Sequence, residues 1–204
     1  MKNLIKRVLY LIPIVGTYLK LRTVKYNGFS FVNYLKFRLF HYGSRIYWPK
    51  SPTNTVASPW NIQIGINSSI GGNGCYIQGN GELIIGDYVR VTTNVGIMSG
   101  NHDLLNHKIQ IQKKTIIGDY SWIGMNSIIL PGVHLGTRTI VAAGSVVTKS
   151  FPDGFCVIAG NPARLVKEID KNKFIPHNTE FEFIGFIPKE KFDKYKKRYL
   201  NENN

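Results

Sequence analysis

A six-residue spacing of aliphatic residues dominates the middle of this chain. Ile117, Ile123, Ile129, Leu135, Val141 and Val147 follow one another at that interval without a gap. Gly118, Gly124, Gly136 and Ala142 stand one place later, and Ser121, Ser127, Val133, Thr139 and Ser145 four places later. Upstream, Ile85, Val91 and Ile97 keep the same phase, with Gly86, Val89 and Val95 in matching slots. Ile64-Gly65 and Ile70-Gly71 form a first, weaker pair. Neither the helical period nor strand alternation produces this recurrence. A stacked β-solenoid does: each short strand sends one aliphatic residue inward, and small residues turn the corners. Stacking aligns the aliphatics into ladders that make a continuous core.

The ladder is interrupted once, by the polar and basic run SGNHDLLNHKIQIQKKT over residues 99–115, which should leave the solenoid as a loop. Loops carried on a rigid scaffold commonly hold function. The flanks follow other rules. Val8 to Leu19 is apolar but contains Pro13 and Gly16, and is too short to cross a bilayer, so it reads as a buried or interfacial helix. Phe29 to Tyr42 sets Phe31, Tyr34, Leu35, Leu39 and Tyr42 at helical spacing, with Gly43 as a stop. Trp48 to Trp60 is punctuated by prolines and reads as a loop. Pro188 to Leu200, with Phe192, Tyr195 and Tyr199 at helical spacing, reads as a C-terminal helix. The expected architecture is an all-β solenoid over residues 61–164, a basic, partly helical region at 1–60, and an extension with a helix at 165–204.

Charge adds an asymmetry. The 204 residues include 26 Lys and Arg against 12 Asp and Glu, a formal net charge of +14. No acid precedes Glu82, whereas Lys2, Lys6, Arg7, Lys20, Arg22, Lys25, Lys36, Arg38, Arg45 and Lys50 have already passed. Such a stretch points to an anionic partner: nucleic acid, a lipid surface or an acidic glycan. Two cysteines, Cys75 and Cys156, are too few for a disulfide scaffold and fit reduced thiols in a cytoplasmic protein.

The run IIGDYSWIGMNSIILPGVHLGTRTIVAAGSVVTKSF, followed by VIAGNPARLVKEI, resembles the hexapeptide-repeat acyltransferases, whose fold is a left-handed parallel β-helix. Within them it looks most like the galactoside and maltose O-acetyltransferases and the capsular polysaccharide O-acetyltransferases. The resemblance covers residues 61–168. It implies a homotrimer, acetyl-CoA as acetyl donor bound between adjacent subunits, and a sugar or glycan acceptor. His102, seventeen residues after Ile85 in IGDYVRVTTNVGIMSGNH, matches the family's catalytic histidine. That chemistry stands on its own terms, because a hydroxyl is a poor nucleophile at neutral pH and imidazole is the side chain suited to take its proton. The oxyanion formed needs N–H donors, for which Gly124 or Met125, after Trp122, are the candidates. By the same resemblance Met125 and Ala143 present backbone to the pantetheine arm, while Thr148, Lys149, Arg164 and Lys167 meet the phosphates. Lys167 stands where close relatives often carry arginine, so it brings charge without a planar fork. Trp122 either walls the cleft or caps the core. Asp103 is a candidate for orienting His102 or touching the acceptor, and Asn73 and Asn80 are candidate acceptor contacts.

Three rivals remain. γ-Class carbonic anhydrases share the fold and bind zinc through three histidines, two of them spaced like His102 and His107. The region where the third belongs reads NIQIGINSS, and His134 follows a coil turn, so no metal is expected. A non-catalytic scaffold with a polyanion-binding arm would leave the coenzyme run unexplained, and the chain carries no nucleic-acid motif. Acetyltransferases for antibiotics or for amino groups of nucleotide sugars share the histidine and the coenzyme site. The reading that results is a cytoplasmic O-acetyltransferase of polysaccharide or glycoconjugate biosynthesis, with direct transfer and His102 as base. Two accounts of the basic arm stand side by side: peripheral attachment at the inner face of the membrane or near an acidic glycan, and packing against the solenoid end.

Overall fold

In the computed structural model, residue 9 and residues 11–24, 30–41, 45–70 and 72–200 are described. The expected stop at Gly43, the helix ends at Phe29 and Tyr42, and Gly71 of the first repeat pair lie outside them. The repeat builds a left-handed solenoid of about five turns, with three walls of short strands. Thr55–Ala57, Tyr76–Gln78, Gly96–Met98, Ile128–Ile129 and Val146–Val147 form the first wall. Ile62–Ile64, Leu83–Ile85, Thr115–Ile117 and His134–Leu135 form the second. The third comprises Ser69–Ile70, Arg90–Val91, Trp122–Ile123, Thr139–Val141 and Cys156–Gly160, closed by the antiparallel strand Ala163–Glu168. The six-residue phase maps onto parallel registers: Ile77, Ile97, Ile129 and Val147 in the first wall, Ile64, Ile85, Ile117 and Leu135 in the second. Val91, Ile123, Val141 and Ile158 align in the third. All of these side chains are buried.

The coils begin earlier than the repeat pattern suggests. Thr55–Ala57, inside the proline-punctuated run read as a loop, pairs in parallel with Tyr76–Gln78. They also continue past the last regular aliphatic, because Ile158 extends the third-wall ladder out of six-residue phase. The corners that follow the second and third walls owe their tightness to a residue in the left-handed region, three places after the inward aliphatic in the regular coils. Asn67, Tyr88, Asn94, Tyr120, Asn126 and Arg138 have φ between 50° and 59°. The glycine one place after the aliphatic makes room for a contact from the next coil. A Cβ at Gly86 would lie 2.2 Å from Asp119 Oδ1, which accepts a hydrogen bond from the Asp87 amide at 2.8 Å. The slot four places on is small, and its hydroxyls satisfy corner carbonyls: Ser68 donates to Gly86 O at 2.6 Å, Thr139 to Gly136 O at 2.7 Å, Ser145 to Ala142 O at 2.7 Å.

Helix α1 (Pro13–Thr23) starts at a proline, and α2 (Phe31–Lys36) is capped by Ser30, whose hydroxyl accepts from the Asn33 amide. A π-helical turn, Phe37–His41, extends α2. Tyr18 of α1 meets Phe31 edge-on at 4.9 Å, and Phe37 stacks on Phe186 at 4.3 Å. Tyr47 covers the open edge of the first second-wall strand: its buried hydroxyl accepts from the Ile64 amide at 3.1 Å, and burial pushes its pKa up to about 12.

From Glu168 the chain returns along the corner between the second and third walls, from the last coil to the first. Phe174 packs edge-on against Phe155 and Tyr120, and His177 against Tyr120 and Tyr88. Asn67 then clasps it. The Asn67 amide donates to Phe183 O at 2.7 Å, its side-chain oxygen accepts from the Phe183 amide at 2.9 Å, and its side-chain nitrogen donates to Phe181 O at 3.1 Å. A short hairpin, Phe183–Ile184 with Ile187–Pro188, leads into helix α3 (Lys189–Tyr199), which buries Tyr195. This return strap is an element the repeat pattern does not announce.

Asn67→Ala is expected to destabilise the protein by about 1–3 kcal/mol, because it strips buried partners and replaces a left-handed asparagine. In hydrogen exchange the Phe183 amide should lose protection while core amides of the central coils keep theirs. Glu182 is held below the usual carboxylate range by the Lys189 ammonium at 2.7 Å, with help from the Tyr88 hydroxyl. Its contribution is complete above the ordinary carboxylate pKa and is lost as pH falls through its own lower value. Glu182→Gln should therefore flatten the acid limb of the stability profile measured by urea unfolding.

Candidate functional site

The insertion departs from the corner between the first and second walls as a hairpin, with Gly100–His102 antiparallel to Gln110–Gln112. Its base is fixed by two buried hydroxyls. Ser99 donates to the Gly81 or Gln78 carbonyl, at 2.8 and 2.9 Å, and accepts from the Gly81 amide at 3.0 Å. Thr115 donates to Met98 O at 2.8 Å and accepts from the Gly132 amide at 3.0 Å. Lys113 N closes the stem on Ser99 O at 2.7 Å. These anchors were not among the residues singled out from sequence, although they stand at the two ends of the insertion where the ladder breaks off and resumes.

At the end of the first hairpin strand the exposed ring of His102 places Nδ1 2.6 Å from the backbone oxygen of His107. A carbonyl only accepts, so Nδ1 carries the proton of the neutral ring, and the lone pair is left on Nε2. The orienting group is therefore a main-chain carbonyl and not Asp103. The Asp103 carboxylate instead accepts from the Leu105 and Asn106 amides, both at 2.9 Å, and shapes the hairpin turn. His107 serves through its backbone. Among the described residues no three His, Cys, Asp or Glu side chains come together as a metal site.

The other predicted residues divide between two corners on either side of the first wall. Asn80 shares the His102 corner, where its side-chain oxygen accepts from Ser58 at 3.0 Å and its Cβ lies under Gly100. Thr148 and Lys149 are exposed at the same corner two coils beyond the hairpin, with the Lys149 ammonium 5.6 Å from the Phe151 ring centroid. Asn73, Gly124, Met125 and Ala143 occupy the corner between the third and first walls. Arg164 stands with them, since it pairs with Ala159, and its guanidinium donates to the adjacent Ala163 O at 3.0 Å. Lys167 lies toward the opposite end of the same strand, across from Val157. Trp122 projects from the outer face of the third wall and is 54% exposed, so it does not cap the core. The Gly124 amide is engaged by Val141 O at 2.8 Å, and a Cβ there would fall 2.6 Å from Ala143 N. Of the two candidate oxyanion donors, Met125 is the one left to consider.

The expected site residues of one chain thus fall in two groups separated by the width of a wall, about 20 Å along six residues of extended backbone. A cleft of about 770 Å³ lies between α1 and the strap, and one of about 270 Å³ beside Phe155 and Cys156; His102 lines neither. The outer face of the intervening wall aligns Tyr76, Gly96, Ile128 and Val146, with Tyr76 and Ile128 exposed. Among the described residues the ion pairs are Lys114–Glu82, Lys173–Asp170 and Lys189–Glu182, so Lys149, Arg164 and Lys167 carry their charge unneutralised.

Residues 114–149 match the bacterial transferase hexapeptide (six repeats) family. A galactoside O-acetyltransferase of Lactococcus lactis subsp. lactis (strain IL1403) is 32% identical over 112 residues, 52% of this chain and 54% of that protein. The chain therefore spans about half the length of that relative. A maltose O-acetyltransferase from Clostridium difficile 630 superimposes with a TM-score of 0.53 at 32% identity, over 59% of this chain and 65% of that one. A hexapeptide-repeat acetyltransferase from Vibrio cholerae O1 biovar eltor, solved with acetyl coenzyme A, gives a TM-score of 0.56 at 28% identity, over 60% and 68%. Repeat phase, coil geometry and these relatives agree: the solenoid of this chain is similar to the hexapeptide-repeat acetyltransferases, and its residues 114–149 match that family.

Proposed function

We propose that the protein is an acetyl-CoA-dependent O-acetyltransferase acting on a hydroxyl of a sugar or polysaccharide precursor. The observation that carries this reading is the His102 ring, oriented through Nδ1 by the His107 carbonyl and exposed beside a hairpin pinned at its base. Nε2 takes the acceptor's hydroxyl proton as its oxygen forms a bond to the thioester carbonyl carbon. The Met125 amide is the proposed donor to the oxyanion. When the intermediate collapses, the carbon–sulfur bond breaks, and the leaving thiolate takes the proton back from the imidazolium. No covalent enzyme intermediate is required.

The donor's phosphates suit the uncompensated cations Lys149, Arg164 and Lys167, and the exposed corner at Met125 and Ala143 offers backbone to its extended arm. Because these groups flank the first wall on both sides, a complete site requires the His102 corner of one subunit to meet the Met125 corner of the next. Such a head-to-tail contact closes into a ring, and the homotrimer is the ring this reading adopts. The galactoside and maltose enzymes among the relatives support a sugar as the acceptor. Asn80, on the His102 corner, is its nearest candidate contact.

His102→Ala is expected to lower turnover by about 10²–10⁴-fold, read as thiol release from acetyl-CoA with candidate glycans. Undiminished turnover in that variant would remove the assigned base. Replacing Lys149 and Arg164 by alanine should raise KM for acetyl-CoA more than it lowers kcat. A fall in kcat at unchanged KM would contradict their assignment to the phosphates.

A further inference from the structure

The N-terminal helices present apolar side chains to solvent on the face turned away from the protein. In α2 and its π-helical extension, Tyr34 and Phe37 are buried toward Phe186, so the side facing the core is already occupied. The opposite side exposes Val32, Leu39 and Phe40, the last at 77%. Leu11 and Ile12, just before α1, and Ile14 in its first turn are likewise exposed, Leu11 at 80%. Single exposed apolar residues are ordinary, but six on, or immediately before, two helices that pack together mark an interaction surface.

Charge identifies the occupant. Lys36 stands four places from both Val32 and Phe40, so a base is set within the apolar face. Exposed Arg22 lies in the last turn of α1. Ten bases and no acid occur before Glu82, which excludes a surface that would be repelled by anionic headgroups. At 11 residues α1 is about 16 Å long, roughly half the hydrocarbon thickness of a bilayer, and among the described residues no helix is long and apolar enough to cross one. A short helix pair with an apolar face and interspersed bases fits the plane of an interface. We infer that this face docks the protein on an anionic lipid bilayer, with Leu11, Ile12, Val32, Leu39 and Phe40 entering the acyl boundary and Lys36 and Arg22 at headgroup level. This inference is independent of the acetyl-transfer reading.

Vesicle flotation with the full chain tests it. The protein should float with vesicles of equal parts phosphatidylcholine and phosphatidylglycerol, and much less with phosphatidylcholine alone. Leu11→Ser combined with Phe40→Ser, on exposed positions, should weaken binding by about tenfold or more without moving the unfolding midpoint. Lys36→Glu should weaken it chiefly at low salt. Failure of the wild type to float would overturn the inference. So would undiminished binding by the serine variant, matched by binding to soluble dextran sulfate, which would leave only attraction to a polyanion. A change in solution mass caused by the serine substitutions, with flotation intact, would assign the face to a second copy instead.

Discussion

The left-handed residue at two of the three corners is the constraint on which the molecule is built. These corners turn tightly because the third or fourth place after the inward side chain adopts positive φ, at a cost of about 1–2 kcal/mol for a residue with a Cβ. The corner between the third and first walls meets it with Gly74, Asn94, Asn126 and Gly144. The corner between the second and third walls uses Asn67, Tyr88, Tyr120, Arg138 and Phe155 instead. Those bulky residues stack in register, Tyr88 on Tyr120 at 4.9 Å, and give the returning chain an aromatic track for Phe174 and His177. Local strain and distant packing are thus two sides of one choice of residue type.

The third corner explains how an insertion can be carried without disturbing the core. The hairpin replaces the turn between Met98 and Thr115, so no inward residue is displaced and Ile97 and Ile117 keep their rungs. Ser99 and Thr115 then perform for the hairpin what the small hydroxyl residues perform at ordinary corners. His102 consequently leaves from a base as rigid as the solenoid itself. Its ring is exposed on one side of an apolar wall, with the Met125 corner on the other.

The sequence conveyed the coils because their physics is periodic: one buried aliphatic per strand, one small residue per corner, repeated in phase. The C-terminal helix was equally legible, expected from Pro188 to Leu200 and observed from Lys189 to Tyr199, since its apolar spacing is local. The first strand at Thr55 was hidden by prolines on both sides, and the Ile158 rung by a change of phase around Pro152 and Gly154. The strap was illegible for a different reason. Its decisive contacts join Asn67 to Phe181 and Phe183 across more than a hundred residues, with no period to reveal them. At the site, His102 could be placed by motif spacing, but its orienting partner is a backbone carbonyl, which no residue type encodes.

A solenoid is ordinarily a one-dimensional array in which each repeat feels only its neighbours, and the terminal coils fray first. The strap changes that statistical problem. By fastening the chain that leaves the last coil to Asn67 in the first, it turns an open row of units into a closed circuit. Loosening at either terminus must then release contacts at the other, so the ends no longer melt independently. The all-or-none unfolding usual for compact globules becomes available to an elongated stack.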